Sequence, residues 1–263
     1  MHPFMTLPVP AGSVGIHWFG QSSFAFKAPT GEILLADPYF PHERPAERFI
    51  HPEPPLDEAT LRTDYVLLTH DHSDHTHPET LRRIRAAWPQ ARFAGPKESV
   101  ARLAAEVGVE AASTLLPPDR VTLGPFTIHA VYAKPPGGDP ERGIAPPDVT
   151  HLGYVIEVSG RRLYLSGDPI NTFAECDELV DPLARLRPEV GILTTHPTEG
   201  EFPYFEGSAA MARRIGVAVA IPSHYQCFCK RNYDPAEWAA HFPPDGPRTL
   251  IIPYNEAIVY PTP

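Results

Sequence analysis

"LLTHDHSDHTHPETL", residues 67–81, crowds four imidazoles (His70, His72, His75, His77) and two carboxylates (Asp71, Asp74) into one short stretch. Such a stretch is either a solvated polar loop or half of a metal site whose other half lies elsewhere in the chain. It follows "DYVLLT" (64–69), an apolar, β-rich run that reads as a strand. Loops at strand ends are where α/β proteins carry their chemistry, so the placement favours the metal reading. In extended or tightly turned backbone, residues two apart project to the same side. His70 and His72 can therefore grip one ion while Asp74 and His75 reach a second. Imidazole and carboxylate suit Zn²⁺, Mn²⁺ or Fe²⁺. His77 stands outside this order, just before Pro78 at a helix start, and reads as a surface or capping residue. Asp71 is expected to point away from the ions.

Four ligands from one loop cannot close two coordination shells, and three further segments offer partners. "SGDP" (166–169) puts Asp168 at the end of the strand "RLYLS", where its two oxygens can bridge two ions. "IPSHY" (221–225) puts His224 at the end of "VAVAIP", and "DVTHLGYVIE" (148–157) puts His151 just before another strand. Each candidate ends or begins a strand, so all can converge on one sheet edge.

Strand patterns fall at 14–19, 22–27, 32–36, 64–69, 126–132, 152–158, 162–166, 189–194, 217–221 and 248–252. Helical patterns fall at 78–88, 97–107, 173–186, 206–215 and 235–241. A strand-rich first half followed by alternating strands and helices predicts two packed β-sheets with helices outside, in one domain spanning 1–263. The 34 prolines cluster at 41–55, 135–147 and 243–253 and predict ordered loops there.

The 263 residues are 42% hydrophobic and 21% charged, which suits a globular chain with a substantial core. A net charge of −10 argues against a broad grip on nucleic acid or an anionic membrane. No apolar run reaches the ~18–20 residues of a membrane span. The opening "MHPFMTLPVPAGSVG" does not read as a signal peptide. Three cysteines, Cys176, Cys227 and Cys229, fit free thiols in a reducing cytoplasm rather than a disulfide framework.

The order His-x-His-x-Asp-His, then His, Asp and His resembles the metallo-β-lactamase superfamily. Within it the chain is similar to the L-ascorbate-6-phosphate lactonase branch from about Val14 to Asp234. The likeness is carried by "IHWFGQSSFAFK", "LLADPYF", "VLLTHDHSDHTHP", "FAGPKESV", "FTIHAVYA", "GYVIEVSGRRLYLSGD" and "VAIPSHYQCF". The resemblance implies a four-layer αβ/βα sandwich, an α/β fold with its site at the edge between two sheets. It implies that His70, His72 and His151 hold a first divalent ion and Asp74, His75 and His224 a second, with Asp168 bridging. Asp37, ending "EILLADP", matches an aspartate that orients a ligand histidine. The chain has "THPETL" where many members carry a glycine two residues after the Asp-His pair. His129 in "FTIHAVY" competes with His151 as third ligand of the first ion. His151 is favoured because it directly precedes a strand, whereas His129 alternates with core residues.

One or two divalent ions (Zn, Mn or Fe) lower the pKa of bound water toward neutrality. The expected activity is hydrolysis of a small anionic ester, a lactone above all, by metal-activated hydroxide. Asp74 or Asp168 would take the proton, and His196 in "TTHPTEGEF" would contact substrate or protonate the leaving group. Tyr225 and Lys134 are further candidates for binding an anion. Rival readings are a phosphodiesterase of the same fold and a metal-holding scaffold without turnover. Oligomeric state is left open; a homo-oligomer is compatible with the sequence.

Overall fold

The computed structural model describes residues 1–261. The first half of the chain forms β1 (Val14–Trp18), β2 (Phe24–Lys27), β3 (Ile33–Ala36) and β4 (Tyr65–Leu67), then β5 (Arg92–Gly95) and β6 (Ser113–Thr114). The second half forms β7 (Arg120–Leu123), β8 (Phe126–Tyr132), β9 (Leu152–Val158) and β10 (Arg161–Leu165). It continues with β11 (Val190–Thr194), β12 (Val219–Ser223), β13 (Arg248–Thr249) and β14 (Glu256–Tyr260). One seven-stranded sheet runs β14-β1-β2-β3-β4-β5-β6 and the other β13-β12-β11-β10-β9-β8-β7.

Each sheet pairs an antiparallel half with a parallel half. Strands β3 to β6 are parallel neighbours, and helices α1 (Pro78–Ala87) and α2 (Lys97–Arg102) make the crossovers. Strands β10 to β13 are likewise parallel, crossed by α3 (Asp177–Arg185), α4 (Phe205–Ile215) and α5 (Pro235–Ala239).

Side-chain alternation along the strands sets the layers. On β3, Ile33 and Leu35 join Val66, Phe93, Leu81 and Ile84 in a core between the first sheet and α1. Their neighbours Leu34 and Ala36 turn the other way, into the core that contains Phe24, Phe26, Ile128, Tyr154 and Ile156 of both sheets. Leu179 and Leu183 of α3 and Met211 and Ile215 of α4 extend that core over the second sheet. Helix, sheet, sheet and helix make the four-layer αβ/βα sandwich.

The sequence pattern misplaced several elements. Strands β5, β6, β7 and β14 were not among the predicted ones. β7 is largely solvent-facing, and β14 is a half-exposed strand that pairs with β1 at a sheet edge, so neither shows a clean period-two apolar face. The helix expected over 97–107 stays α-helical only to Arg102. Residues Leu103–Val107 wind as a π-turn that ends on Gly108 at φ 75°. The run at 217–221 lies two residues later, as β12, and the run at 248–252 shrinks to two paired residues.

Candidate metal centre

In open sheets of this kind the carboxyl ends of parallel strands form the crevice where ligands bind. Asp37 follows β3, the His70–His75 loop follows β4, Asp168 follows β10, His196 follows β11 and His224 follows β12. His151 precedes β9, which runs antiparallel to β10, so its amino end lies at the carboxyl end of β10. The Leu152 amide donates to the Thr69 carbonyl at 3.0 Å and stitches this segment to the histidine loop. Gly167, just before Asp168, sits at φ +57°, and a Cβ there would lie 2.4 Å from the Leu152 carbonyl oxygen. Only glycine lets the chain pass this close to the Leu152 carbonyl and the Thr69 side chain.

Seven side chains converge in three overlapping groups: His70, His72 and His151; His70, His75 and Asp168; Asp74, His75 and His224. Asp168 Oδ2 stands 3.5 Å from His70 Nε2 and 3.4 Å from His75 Nε2, while its Oδ1 stands 3.6 Å from His224 Nε2. Asp74 Oδ2 lies 3.9 Å from His75 Nε2 and 3.7 Å from His224 Nε2. Two donors bonded to one ion at ~2.0–2.2 Å with tetrahedral angles are about 3.4 Å apart, so these spacings suit a shared cation. The buried Nε2 atoms of His70, His75 and His151, and Asp168 Oδ1, have no hydrogen-bond partner among the described residues. Buried polar atoms rarely stay unpaired, and a divalent ion would satisfy them together.

The groups behind the donors fix their tautomers. Thr69 Oγ1 donates to Asp37 Oδ2 at 2.6 Å, and the Thr69 amide donates to Asp37 Oδ1 at 2.8 Å. His75 Nδ1 is 2.8 Å from Asp37 Oδ2, so it carries the proton. Since the Thr69 hydroxyl proton is committed to Asp37, His70 Nδ1, 3.0 Å from Thr69 Oγ1, must also be protonated. Each ring, when neutral, thus aims its Nε2 lone pair into the cluster. Asp37 at φ 43° and His224 at φ 71° occupy the left-handed region that L-residues avoid. Such strain persists where the surroundings hold a side chain in place.

The Beta-lactamase superfamily domain family matches residues 33–225, more than half of the chain. The chain belongs to the metallo-β-lactamase superfamily. It is 27% identical over 224 residues to a "UPF0173 metal-dependent hydrolase" of Myxococcus xanthus, covering 82% of this chain and 72% of that one. It is 29% identical over 230 residues to its namesake in Ruegeria pomeroyi, covering 81% and 86%. Among solved structures, Igni18, a metallo hydrolase of Ignicoccus hospitalis, superposes with a TM-score of 0.68 at 19% identity, covering 94% of this chain and 98% of that one. The metallo-β-lactamase fold protein YhfI of Bacillus subtilis gives 0.65 at 13% identity, covering 94% and 99%.

In this superfamily member the cluster's charges are strongly coupled. Burial alone would push the Asp168 pKa up, but His75, His224 and His70 outweigh it and hold the carboxyl well below its usual range. Burial disfavours charge on His75 too, yet Asp168, Asp37 and Asp74 keep its pKa well above the ordinary imidazole value. Burial, with the Lys134 charge, lowers His151 to about 3, and burial with His75 lowers His70 as well. His70 and His151, held neutral, and the ionised Asp168 are in the forms a cation needs, while His75 would give up its Nε2 proton as an ion binds.

The remaining candidates separate clearly. His129 lies on β8 with Nε2 3.8 Å from Glu157, outside the three groups. His77 Nδ1 accepts from the Thr80 amide and caps α1, and Asp71 is held by Arg102 at 2.7 Å. Tyr225 is not placed to bind an anion: its ring is buried against Trp18 and Tyr233 at 4.5 and 4.6 Å between centroids. Lys134 lines a cavity beside His151 and pairs with Glu201 at 3.1 Å. His196 Nδ1 accepts from the Thr198 and Glu199 amides at 3.3 and 3.1 Å, which places its proton on a buried, unpartnered Nε2. Cys227 is a buried thiol pushed up to about 12 by burial, and Cys229 is exposed.

Two features were missed from sequence. Asp148, which is 70% exposed, sets Oδ2 3.0 Å from His72 Nε2 and Oδ1 3.8 Å from His151 Nε2, across the mouth of the first triad. A 410 Å³ cavity beside Asp74 is lined by Arg48, Lys230 and Arg231. "CKRNY" soon after His224 carried a local basic signal for it, hidden by the chain's net negative charge.

Proposed function

We propose that the protein is a metal-dependent hydrolase acting on a small anionic ester, a lactone above all. The observation that carries this reading is the spacing of the seven donors, which suits two ions sharing Asp168. The names of the relatives from Myxococcus and Ruegeria support a metal-dependent hydrolase, and the likeness to ascorbate-phosphate lactonases supports the lactone. A divalent ion held there would be Zn²⁺, Mn²⁺ or Fe²⁺, and it supplies Lewis acidity and a water acidified toward neutral pH.

The chain's own groups complete the chemistry. Asp74 belongs to the cluster and also lines the cavity, so its carboxylate can take a proton from an attacking water. Asp168, ionised and buried, holds the histidines' Nε2 atoms around one point and sets the angle of approach. His196, a neutral imidazole with burial lowering its pKa, offers an Nε2 proton to substrate or leaving group. Arg48 and Lys230, with Arg231 held by Glu199 at 3.0 Å, outnumber Glu47 beside them and give the otherwise acidic protein a cationic rim for one carboxylate or phosphate. The cavity's volume suits a small molecule. Free Cys176, Cys227 and Cys229 fit a reducing cytoplasm.

The same three cations beside Asp74 favour one second reading, a phosphodiesterase. A panel of lactones, carboxylic esters and phosphodiesters, assayed with Zn²⁺, Mn²⁺ and Fe²⁺, separates them. Fastest turnover of an anionic lactone supports the proposal. Faster phosphodiester cleavage favours the second reading, and a loaded protein inert on every class indicates a scaffold.

A further inference from the structure

Gln21 reaches the cluster from the first sheet, beyond the end of β1, and has no role in the proposed chemistry. It is 1% exposed, in the turn after β1. Its Nε2 lies 2.8 Å from Asp74 Oδ2 and 2.8 Å from His224 Nε2, while its Oε1 is buried without a partner among the described residues. The backbone is pinned to the His224 segment: the Gln21 amide donates to the Tyr225 carbonyl at 2.9 Å, and its carbonyl accepts from the His224 amide at 3.0 Å. The Trp18 indole also donates to that carbonyl, at 3.0 Å. Gln21 itself is at φ 52°, after Gly20 at φ 88°. The chain is strained here, and the strain carries this amide to the Asp74/His224 pair.

The orientation with Nε2 inward is incompatible with a cation between those two residues. Asp74 Oδ2 and His224 Nε2 are 3.7 Å apart. An ion bonded to both at ~2.0–2.2 Å would lie within about 3 Å of the amide nitrogen, whose two hydrogens carry positive charge. A half-turn of the terminal torsion exchanges Oε1 for Nε2 at little steric cost, since that torsion is broad and two-fold. The exchange sets the oxygen toward the cation and moves the nitrogen into the place Oε1 now holds, so the charge of the cation is what favours it.

We infer that Gln21 is a further protein donor at the second metal position, its Oε1 facing the cation that Asp74, His75 and His224 hold together with the shared Asp168. The inference rests on the metal-centre reading proposed above. A residue that only spaced the metal-free turn would affect folding and leave metal affinity alone.

The test is calorimetric titration of metal-stripped protein with Zn²⁺, together with thermal unfolding of the metal-free forms. Wild type should bind two ions. Gln21→Leu, and Gln21→Asn with its shortened amide, should bind the first ion as wild type does and the second at least tenfold more weakly. Gln21→Glu, which restores an inward oxygen, should recover second-site affinity. If either Gln21→Leu or Gln21→Asn binds the second ion within twofold of wild type, Gln21 is not a ligand. If Gln21→Glu fails to rescue while unfolding shows it folded, the residue acts on the fold alone. If wild type binds no ion at all, the metal-centre reading fails with it. One ion in wild type, with the variants equal to it, overturns this inference and leaves a mononuclear centre.

Discussion

His75 Nδ1 lies 2.8 Å from Asp37 Oδ2, and both side chains are fully sealed from solvent. Asp37 is four residues before the first proline cluster and far from the histidine loop in sequence. It is nevertheless the group that decides which nitrogen of His75 faces the cluster. Removing its charge should loosen the donor that two of the three groups share. Asp37→Asn is expected to weaken metal binding 10–100-fold, as is usual when the partner behind a histidine ligand is lost. Competition with a chelator of known affinity measures this; an unchanged affinity would show that Thr69 suffices to orient the ring.

Gly167 concerns stability rather than chemistry. A Cβ there would meet the Leu152 carbonyl at 2.4 Å and Thr69 Cβ at 3.0 Å, on a backbone at φ +57°. Gly167→Ala should cost at least about 2 kcal/mol, from the left-handed backbone and the overpacking together. The urea midpoint reports it. A loss below ~0.5 kcal/mol would mean that the β9 and β10 ends separate easily.

His17 gives an acid limb to stability that is independent of the metal cluster. Burial, partly opposed by a 3.0 Å contact to Asn255 Oδ1, lowers its pKa to about 4. Unfolded, it titrates near ~6.5. Between those values the unfolded chain binds more protons, so stability is full above ~6.5 and is lost as pH falls toward 4. This group alone should remove about 2 kcal/mol between pH 7.5 and 5.0. His17→Phe, packed against the same Phe4 and Phe19 rings, should lose that much less over the interval. Denaturation of both proteins at the two pH values tests it, and parallel losses would remove His17 as the cause.

The cationic rim should act on binding. An Arg48→Ala, Lys230→Ala double variant is expected to raise KM for an anionic ester about tenfold and leave kcat nearly unchanged. With a neutral ester of the same acyl group, KM should stay put. Equal effects on both substrates would show that the rim shapes the cavity rather than reads charge.

Much of this was legible in the chain because the candidate ligands sit at strand ends, and apolar runs mark strand ends well. His70, His72, Asp74, His75, Asp168 and His224 could be read that way, and so could the choice of His151 over His129, since His129 alternates with the core residues of β8. Gln21 could not. Its signal is backbone placement by a left-handed turn, which a glutamine among serines does not announce. Asp148 and the Arg48, Lys230 and Arg231 rim were hidden for another reason. They lie on loops, where no periodicity says which way a side chain faces. Edge strands β7 and β14 escaped because half-exposed strands lack a clean apolar alternation.

Elemental analysis of the purified protein beside a His72→Ala, Asp168→Ala double variant tests the central claim most directly. His72 belongs only to the first group, and Asp168 touches donors of both ions, so this pair attacks the whole centre. The account requires one to two equivalents of Zn, Mn or Fe in the wild type, and less than about a tenth of that in a folded double variant. Equal metal in the two proteins, or none in a wild type offered all three ions, would contradict it.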